Sequence, residues 1–201
     1  FVIEKIDDGL YPTNIKIVYM KPFITPTLLE NEQVLLLPLQ ESDFDALHAV
    51  ASDPKIWEQH PQSDRWKTDV FRRFFDAAIE SRRAFKIIDK ATGDLAGSTR
   101  FYDYDAQNRS IFIGYTFYAV RYWGTGLNTS VKKLMLAYTL QYVDTIYFQV
   151  GGTNFRSQRA VEKLGARKVA ETLVDYHDAG LKPNFTYAIN SLGLTPSIEN
   201  Q

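Results

Sequence analysis

The sequence predicts a single α+β domain in which an antiparallel strand meander leads into a strand–helix–strand crossover. Three observations carry that reading. Between residues 84 and 120 three strand-like runs, Ala84 to Ile88, Leu95 to Tyr104 and Ser110 to Val120, follow one another with short polar connections such as Thr92-Gly93. After Gly126 the period changes, with Leu127, Val131, Leu134, Met135 and Tyr138 at i, i+4, i+7, i+8 and i+11 on one helical face. Ile146 to Val150 then reads as a short buried strand that closes a βαβ unit.

Residues 1 to 33 are punctuated by Pro12, Pro22 and Pro26 and lack a period, so they read as an appended arm with one strand around Ile15 to Tyr19. Regular structure begins at Val34 to Leu39. Ser42 is placed to cap a helix with Phe44, Leu47 and Ala51 on one face, and Asp53-Pro54 ends it. A second helix is expected over Thr68 to Arg83, where Phe71, Phe74, Phe75 and Ala78 repeat at i, i+3, i+4 and i+7. Beyond the crossover come a short helix from Ser157 to Leu164, stopped by a left-handed Gly165, and strands near Lys168 to Tyr176 and Phe185 to Ile189.

Composition narrows the function classes. With 23 Lys+Arg against 24 Asp+Glu in 201 residues the net charge is −1, which is no footprint for a polyanion, so no nucleic-acid partner is expected. The absence of cysteine excludes disulfides, thiolate metal sites and a cysteine nucleophile. His48, His60 and His177 show no ligand spacing, so no metal is expected. No apolar run approaches the ~18 residues of a membrane span. Glu4, Lys5, Asp7 and Asp8 interrupt the apolar opening, which argues against a signal peptide and for a cytoplasmic protein without a membrane partner. Met20-Lys21-Pro22 offers an alternative beginning.

The segment richest in chemistry is Arg121-Tyr122-Trp123-Gly124-Thr125-Gly126-Leu127-Asn128-Thr129, between a strand and an amphipathic helix. Two glycines let the backbone turn sharply and approach a ligand, and the amides that open a helix supply donors with partial positive charge, an anion cradle. A plain tight turn would use the same glycines. GxxxxGK[ST] does not occur in the chain, and the GxGxxG dinucleotide pattern fails because Thr129 stands at its third glycine.

Arg121-x-x-Gly124-x-Gly126, preceded by Ile113-Gly114-Tyr115 and followed by Asn154-x-x-Ser157 and by Glu162 to Ala166, resembles the GNAT superfamily of acetyl-CoA-dependent N-acetyltransferases, and within it the RimJ/RimL-like branch. The resemblance covers Leu28 to Ile189, which implies an arm over residues 1–27 and an acetyltransferase domain over 28–201. It implies a mostly antiparallel sheet, flanked by helices and splayed at one parallel strand pair, with the cofactor's pantetheine arm in the splay. By the same carry-over Val120, Arg121, Trp123, Gly124, Thr125, Gly126, Leu127, Asn128 and Thr129 hold acetyl-CoA, Asn154 contacts the pantetheine, and Ser157 lies near the sulfur. Asn154 is equally placed to cap the next helix.

Acyl transfer to an amine needs an uncharged amine, a donor for the carbonyl oxygen that becomes anionic, and a proton for the thiolate. Many relatives supply a glutamate before the loop and a tyrosine on the last helix; this chain has Phe112 and Val161 there. Tyr115 and Ser157 remain as catalytic candidates, Tyr115 having a core-aromatic reading as well, and a backbone N–H from Phe117 to Ala119 is expected to face the oxyanion. The acceptor side falls to Trp57, Glu58, His60, Arg100 and Tyr102, with Trp66 and Tyr176 nearby. Arg100 has two readings, an acceptor carboxylate or an ion pair with Asp103 or Glu58. The acceptor itself is a small amine or a protein N-terminus, with a homodimer as one option. The missing acid and base keep a second class of function in play, a catalytically silent acyl-CoA-binding module.

Overall fold

A computed structural model of the chain describes residues 2–6, 14–18, 21–175 and 180–190. The upstream strands β1 (Val2–Ile6) and β2 (Asn14–Val18) pair antiparallel as a separate two-stranded ribbon. The expected arm strand is thus found at Asn14–Val18, and its partner Val2–Ile6 was not expected; Tyr19 and Met20 lie outside the described residues.

The domain is an eight-stranded sheet. Its strands are β3 (Leu29–Glu30), β4 (Val34–Pro38), β5 (Ala84–Asp89), β6 (Leu95–Asp105), β7 (Ser110–Tyr118), β8 (Thr145–Gly151), β9 (Arg167–Asp175) and β10 (Leu181–Asn190). They lie in the order β3-β4-β5-β6-β7-β8-β10-β9, and every neighbouring pair is antiparallel except β7 with β8. The helices are α1 (Phe44–Ala51), α2 (Thr68–Glu80), α3 (Leu127–Thr139) and α4 (Phe155–Glu162). The expected α+β class, with a mostly antiparallel sheet and one parallel pair, is what the chain adopts.

Burial follows the sequence periods. Under α3, a large core joins Val34, Leu36, Phe85, Phe101, Ile111, Ile113, Val131, Met135 and Ile146. Under α1 and α2 a smaller one joins Leu47, Ala51, Ile56, Trp57, Phe71, Phe75 and Phe117. Phe23, on the arm side of the expected boundary, is buried in the larger core against Phe101, Tyr104, Tyr138 and Tyr142.

Local chemistry moves two helix ends. Ser42 does not cap α1. Gln40 and Asp43 instead form a reciprocal capping box around a short 3₁₀ turn, the Gln40 N–H donating to Asp43 Oδ2 at 2.9 Å, and α1 continues from it. α2 stops at Glu80 rather than Arg83, because the Ser81 hydroxyl donates to the Ala78 carbonyl at 2.6 Å and Arg82 turns to φ 51°.

Candidate active site

The parallel pair opens into a V. β7 and β8 are paired only over Ser110↔Thr145, Ile111↔Ile146 and Phe112↔Tyr147, after which β7 continues to Tyr118 and β8 to Gly151 without further pairing between them. β7 is also bulged against β6. The partners step from Arg100↔Gly114 to Ser98↔Phe117, so Tyr115 and Thr116 together oppose Thr99. Tyr115 takes φ 50°, a conformation rare for a bulky residue, and its side chain is 44% exposed rather than in the core. Among the three amides expected to face an oxyanion, Ala119 N–H is committed to Ala96 O at 2.9 Å and Phe117, two residues before it and paired with Ser98, lies on the same edge toward β6, which leaves Tyr118 on the edge away from β6.

Just beyond β7 the chain makes a 3₁₀ turn, Val120–Tyr122, and enters the glycine loop. Gly126 sits at φ 89° and opens α3, with empty space where a Cβ would project. Among the described residues the N–H groups of Gly124, Gly126, Asn128 and Thr129 meet no protein acceptor, while Leu127 N–H reaches only the Thr125 hydroxyl at 3.4 Å. Four free amides on one turn, with the helix dipole behind them, make a cluster of donors suited to an anion. A cavity of about 390 Å3 adjoins it, lined by Ala119, Val120 and Arg121 and by Ala49, Val50 and Asp53 from the end of α1. The Arg121 side chain is turned away to Asp94 at 3.2 Å, so only its backbone remains for a ligand.

On the other arm of the V, Asn154 takes the capping role: its Oδ1 accepts from Ser157 N–H at 3.1 Å. The Ser157 hydroxyl has no protein partner among the described residues. Arg156 fastens α4 to its surroundings, stacking over Trp123 at 3.7 Å, donating to Ile56 O at 3.0 Å and pairing with Glu58 at 3.6 Å.

A family model described as an acetyltransferase (GNAT) domain matches residues 33–167, which span the V, the loop and α4. The chain belongs to the GNAT acetyltransferase family. Solved structures agree on the fold. A GCN5-related N-acetyltransferase from Brucella melitensis superposes with a TM-score of 0.74 at 20% identity, over 86% of this chain and 83% of that one. Spermidine N-acetyltransferase from Vibrio cholerae, solved with CoA and spermine, gives 0.64 at 17% identity over 81% and 98%. Mycobacterium smegmatis RimJ, solved with CoA-disulfide, gives 0.61 at 19% over 80% and 83%.

The side expected to face an acceptor is crowded in this GNAT domain. Trp57 is buried, its indole N–H donating to Ala51 O at 2.8 Å. His60 is held neutral, its pKa pushed well below the usual value by burial and then by the nearby Arg65, while its Nδ1 accepts from Gln62 N–H at 3.0 Å. The turn between them crosses toward the V: Pro61 packs so closely on Gly151 that a Cβ there would lie 2.6 Å from its ring. Arg100 forms neither expected ion pair. It is buried, donates to Ala77 O at 2.7 Å near the C-terminal end of α2, and stacks on Tyr115 at 3.7 Å. Tyr102 packs against Tyr115 and Phe112, and Phe112 in turn against Tyr147, an aromatic row where relatives were expected to hold a carboxylate. Val161 is buried in the larger core. Tyr176 and His177 lie outside the described residues; among those described no group of three metal-ligating side chains comes together, and no helix is long and apolar enough to cross a membrane.

Sequence reading missed two buried polar groups beside the V. The Tyr118 hydroxyl is buried with no partner, and burial raises its pKa. Lys132, on α3, is 5% exposed and joined to Thr99 and Thr116. A lysine five residues after Leu127 carries no signal of burial, because the pocket that receives it is made by a bulge in another strand.

Proposed function

We propose that this GNAT protein is an acetyl-CoA-dependent N-acetyltransferase of the RimJ/RimL-like branch, moving an acetyl group directly to a primary amine on a small molecule or a protein N-terminus. The observation that carries the reading is the loop: free N–H groups on Gly124, Gly126, Asn128 and Thr129, opening α3 beside an unpaired parallel strand pair. That donor set fits a diphosphate without any lysine. Val120, Trp123, Thr125 and Leu127 shape the same turn.

When bound, acetyl-CoA supplies the thioester acyl group. The chain's own part is to orient and to handle charge. The Tyr118 amide, on the edge of β7 away from β6, would steady negative charge on the acyl oxygen. The Ser157 hydroxyl, without a protein partner among the described residues, is the group available to deliver a proton to a thiolate, and Tyr115, exposed at the bulge, borders the acceptor. No side chain stands as base where Phe112 lies, so the acceptor must arrive with an appreciable neutral fraction. An α-amine of pKa about 7.7–8.0 is roughly 10–20% neutral at pH 7, a free lysine near 10.4 roughly 0.04%. That ratio favours an α-amine over a lysine side chain.

Thiol release from acetyl-CoA, followed across a panel of α-amines, polyamines and lysine peptides, tests the reading, with release fastest for α-amines as the expected result. The packed Phe112 and Val161 favour the second reading, a silent acyl-CoA-binding module. Calorimetric binding of acetyl-CoA with no thiol release from any amine would establish that module and remove the enzyme.

A further inference from the structure

Lys132 lies inside the larger core, on the side of the sheet opposite Arg100 and Tyr115. Its Nζ donates to Thr116 Oγ1 at 2.7 Å and to Thr99 Oγ1 at 3.1 Å. The two hydroxyls are themselves 2.8 Å apart, and Thr116 Oγ1 donates on to the Gly114 carbonyl at 3.2 Å. Thr116 and Gly114 bracket Tyr115, the residue with φ 50° that makes the bulge. A buried amine with no carboxylate partner is costly to keep, and a methionine of the same length would fill the space. What the amine adds is a fixed direction for the Thr116 hydroxyl, and through it a fixed shape for the backbone that leads into the Tyr118 amide.

We propose that Lys132 is a positioning residue for acyl transfer: acting through Thr116, its amine locks the β7 bulge so that the Tyr118 amide after it points into the V. The inference rests on the proposed acetyltransferase reading for its chemistry but not for its geometry. Burial lowers the Lys132 pKa to about 7, so the lock changes its donor count around neutral pH. Glu30 on β3 is paired with Lys90, Lys133 on α3 is exposed, β4 carries none, Arg100, Tyr102 and Tyr115 are on the far face, and Tyr118 titrates well above this range.

The test uses the full chain with Lys132→Met, Thr116→Val and Thr116→Ser. Backbone amide shifts of Tyr115, Thr116 and Phe117, read by NMR without any substrate, should titrate with a midpoint near 7 in the wild type and be flat in Lys132→Met. Where thiol release is measurable, Lys132→Met and Thr116→Val should lower kcat by ~10- to 100-fold with CoA affinity held within about threefold, while Thr116→Ser restores most of the rate. A protein that binds CoA and turns over no amine would remove the enzyme reading, and the shift titration alone would then decide whether the lock exists. Amide shifts in folded wild type that ignore pH between 6 and 8.5, or that titrate equally in Lys132→Met, would overturn it. So would a Thr116→Val variant with unchanged kcat.

Discussion

The two sides of the V are built by opposite means. The proposed cofactor side offers backbone: a glycine at φ 89°, four amides without protein acceptors and a helix start, while its side chains are turned elsewhere, Arg121 to Asp94 and Trp123 under Arg156. The acceptor side is made of side chains that already hold one another, Trp57 to Ala51, Arg156 to Ile56 and Glu58, Arg100 to Ala77 and Tyr115. A backbone site keeps its donors free for a ligand because nothing else can use them. A side-chain site that spends its donors internally is stable first and specific second. Changes on the acceptor side should therefore be felt in folding, and changes on the cofactor side in binding.

The largest effect expected is at Trp57. Trp57→Ala empties the middle of the smaller core and orphans the Ala51 carbonyl, so it should cost about 3–5 kcal/mol in urea-unfolding free energy. CoA affinity of the folded fraction should move by no more than about threefold. A large loss of CoA affinity without loss of stability would erase the contrast between the two sides.

Gly126→Val is the mirror experiment. The added side chain projects into open space, so its folding cost is the left-handed backbone, of order 1–2 kcal/mol. The same side chain occupies the approach to the free amides, and CoA should weaken by ~100-fold or more, about 2.7 kcal/mol by calorimetry. A folded variant that binds CoA as the wild type does would move the phosphate site away from the loop.

How much of this was legible in the sequence follows the same division. The strands 84 to 118, α3 and the loop were readable because their signals are local: period 2, period 3.6 and two glycines in three residues. Gly165 at φ 91° ends its helix as the sequence implied. The resemblance placed Asn154 near the cofactor, while the structure shows the helix cap that the residue type alone suggested. What sequence could not give are contacts across the sheet. Arg100 finds Ala77, 23 residues away in the chain, and Lys132 finds Thr99 and Thr116 only because β7 bulges there. The Ser42 cap failed for a local reason: Gln40 with Asp43 makes a reciprocal box that starts two residues earlier.

A smaller effect, on pH, sharpens the acceptor half. His60 is neutral in the fold with its pKa depressed below 6.5, so the unfolded chain binds the extra proton first as pH falls. Its contribution to stability is complete above pH 6.5 and is lost on acidification through that value, at up to ~1.4 kcal/mol per pH unit. His60→Gln should flatten the pH dependence of the urea midpoint below 6.5. An unchanged slope would place the acid sensitivity elsewhere.

The smallest expected effect concerns the basic run on and after α4. Of its five cations Arg156 is tied to Glu58 and Trp123, and Lys168 to Glu171 and the face of Phe185, so neither is free to meet a ligand. Arg159 and Lys163 are exposed, stand four residues apart, and therefore share one face, whereas Arg167 opens β9. If this face meets the ribose 3′-phosphate of CoA, Arg159→Ala or Lys163→Ala should weaken CoA more than dephospho-CoA. A contact to a charged group is worth about 1.5–3 kcal/mol when shielded, and solvent exposure cuts that to roughly 1 kcal/mol, about a fivefold change in the ratio of the two affinities. The ratio isolates the contact, because any loosening of α4 acts on both ligands alike. Equal loss for both, or no loss in either variant, would make the run a solvated surface, and cofactor recognition would then rest on the backbone alone.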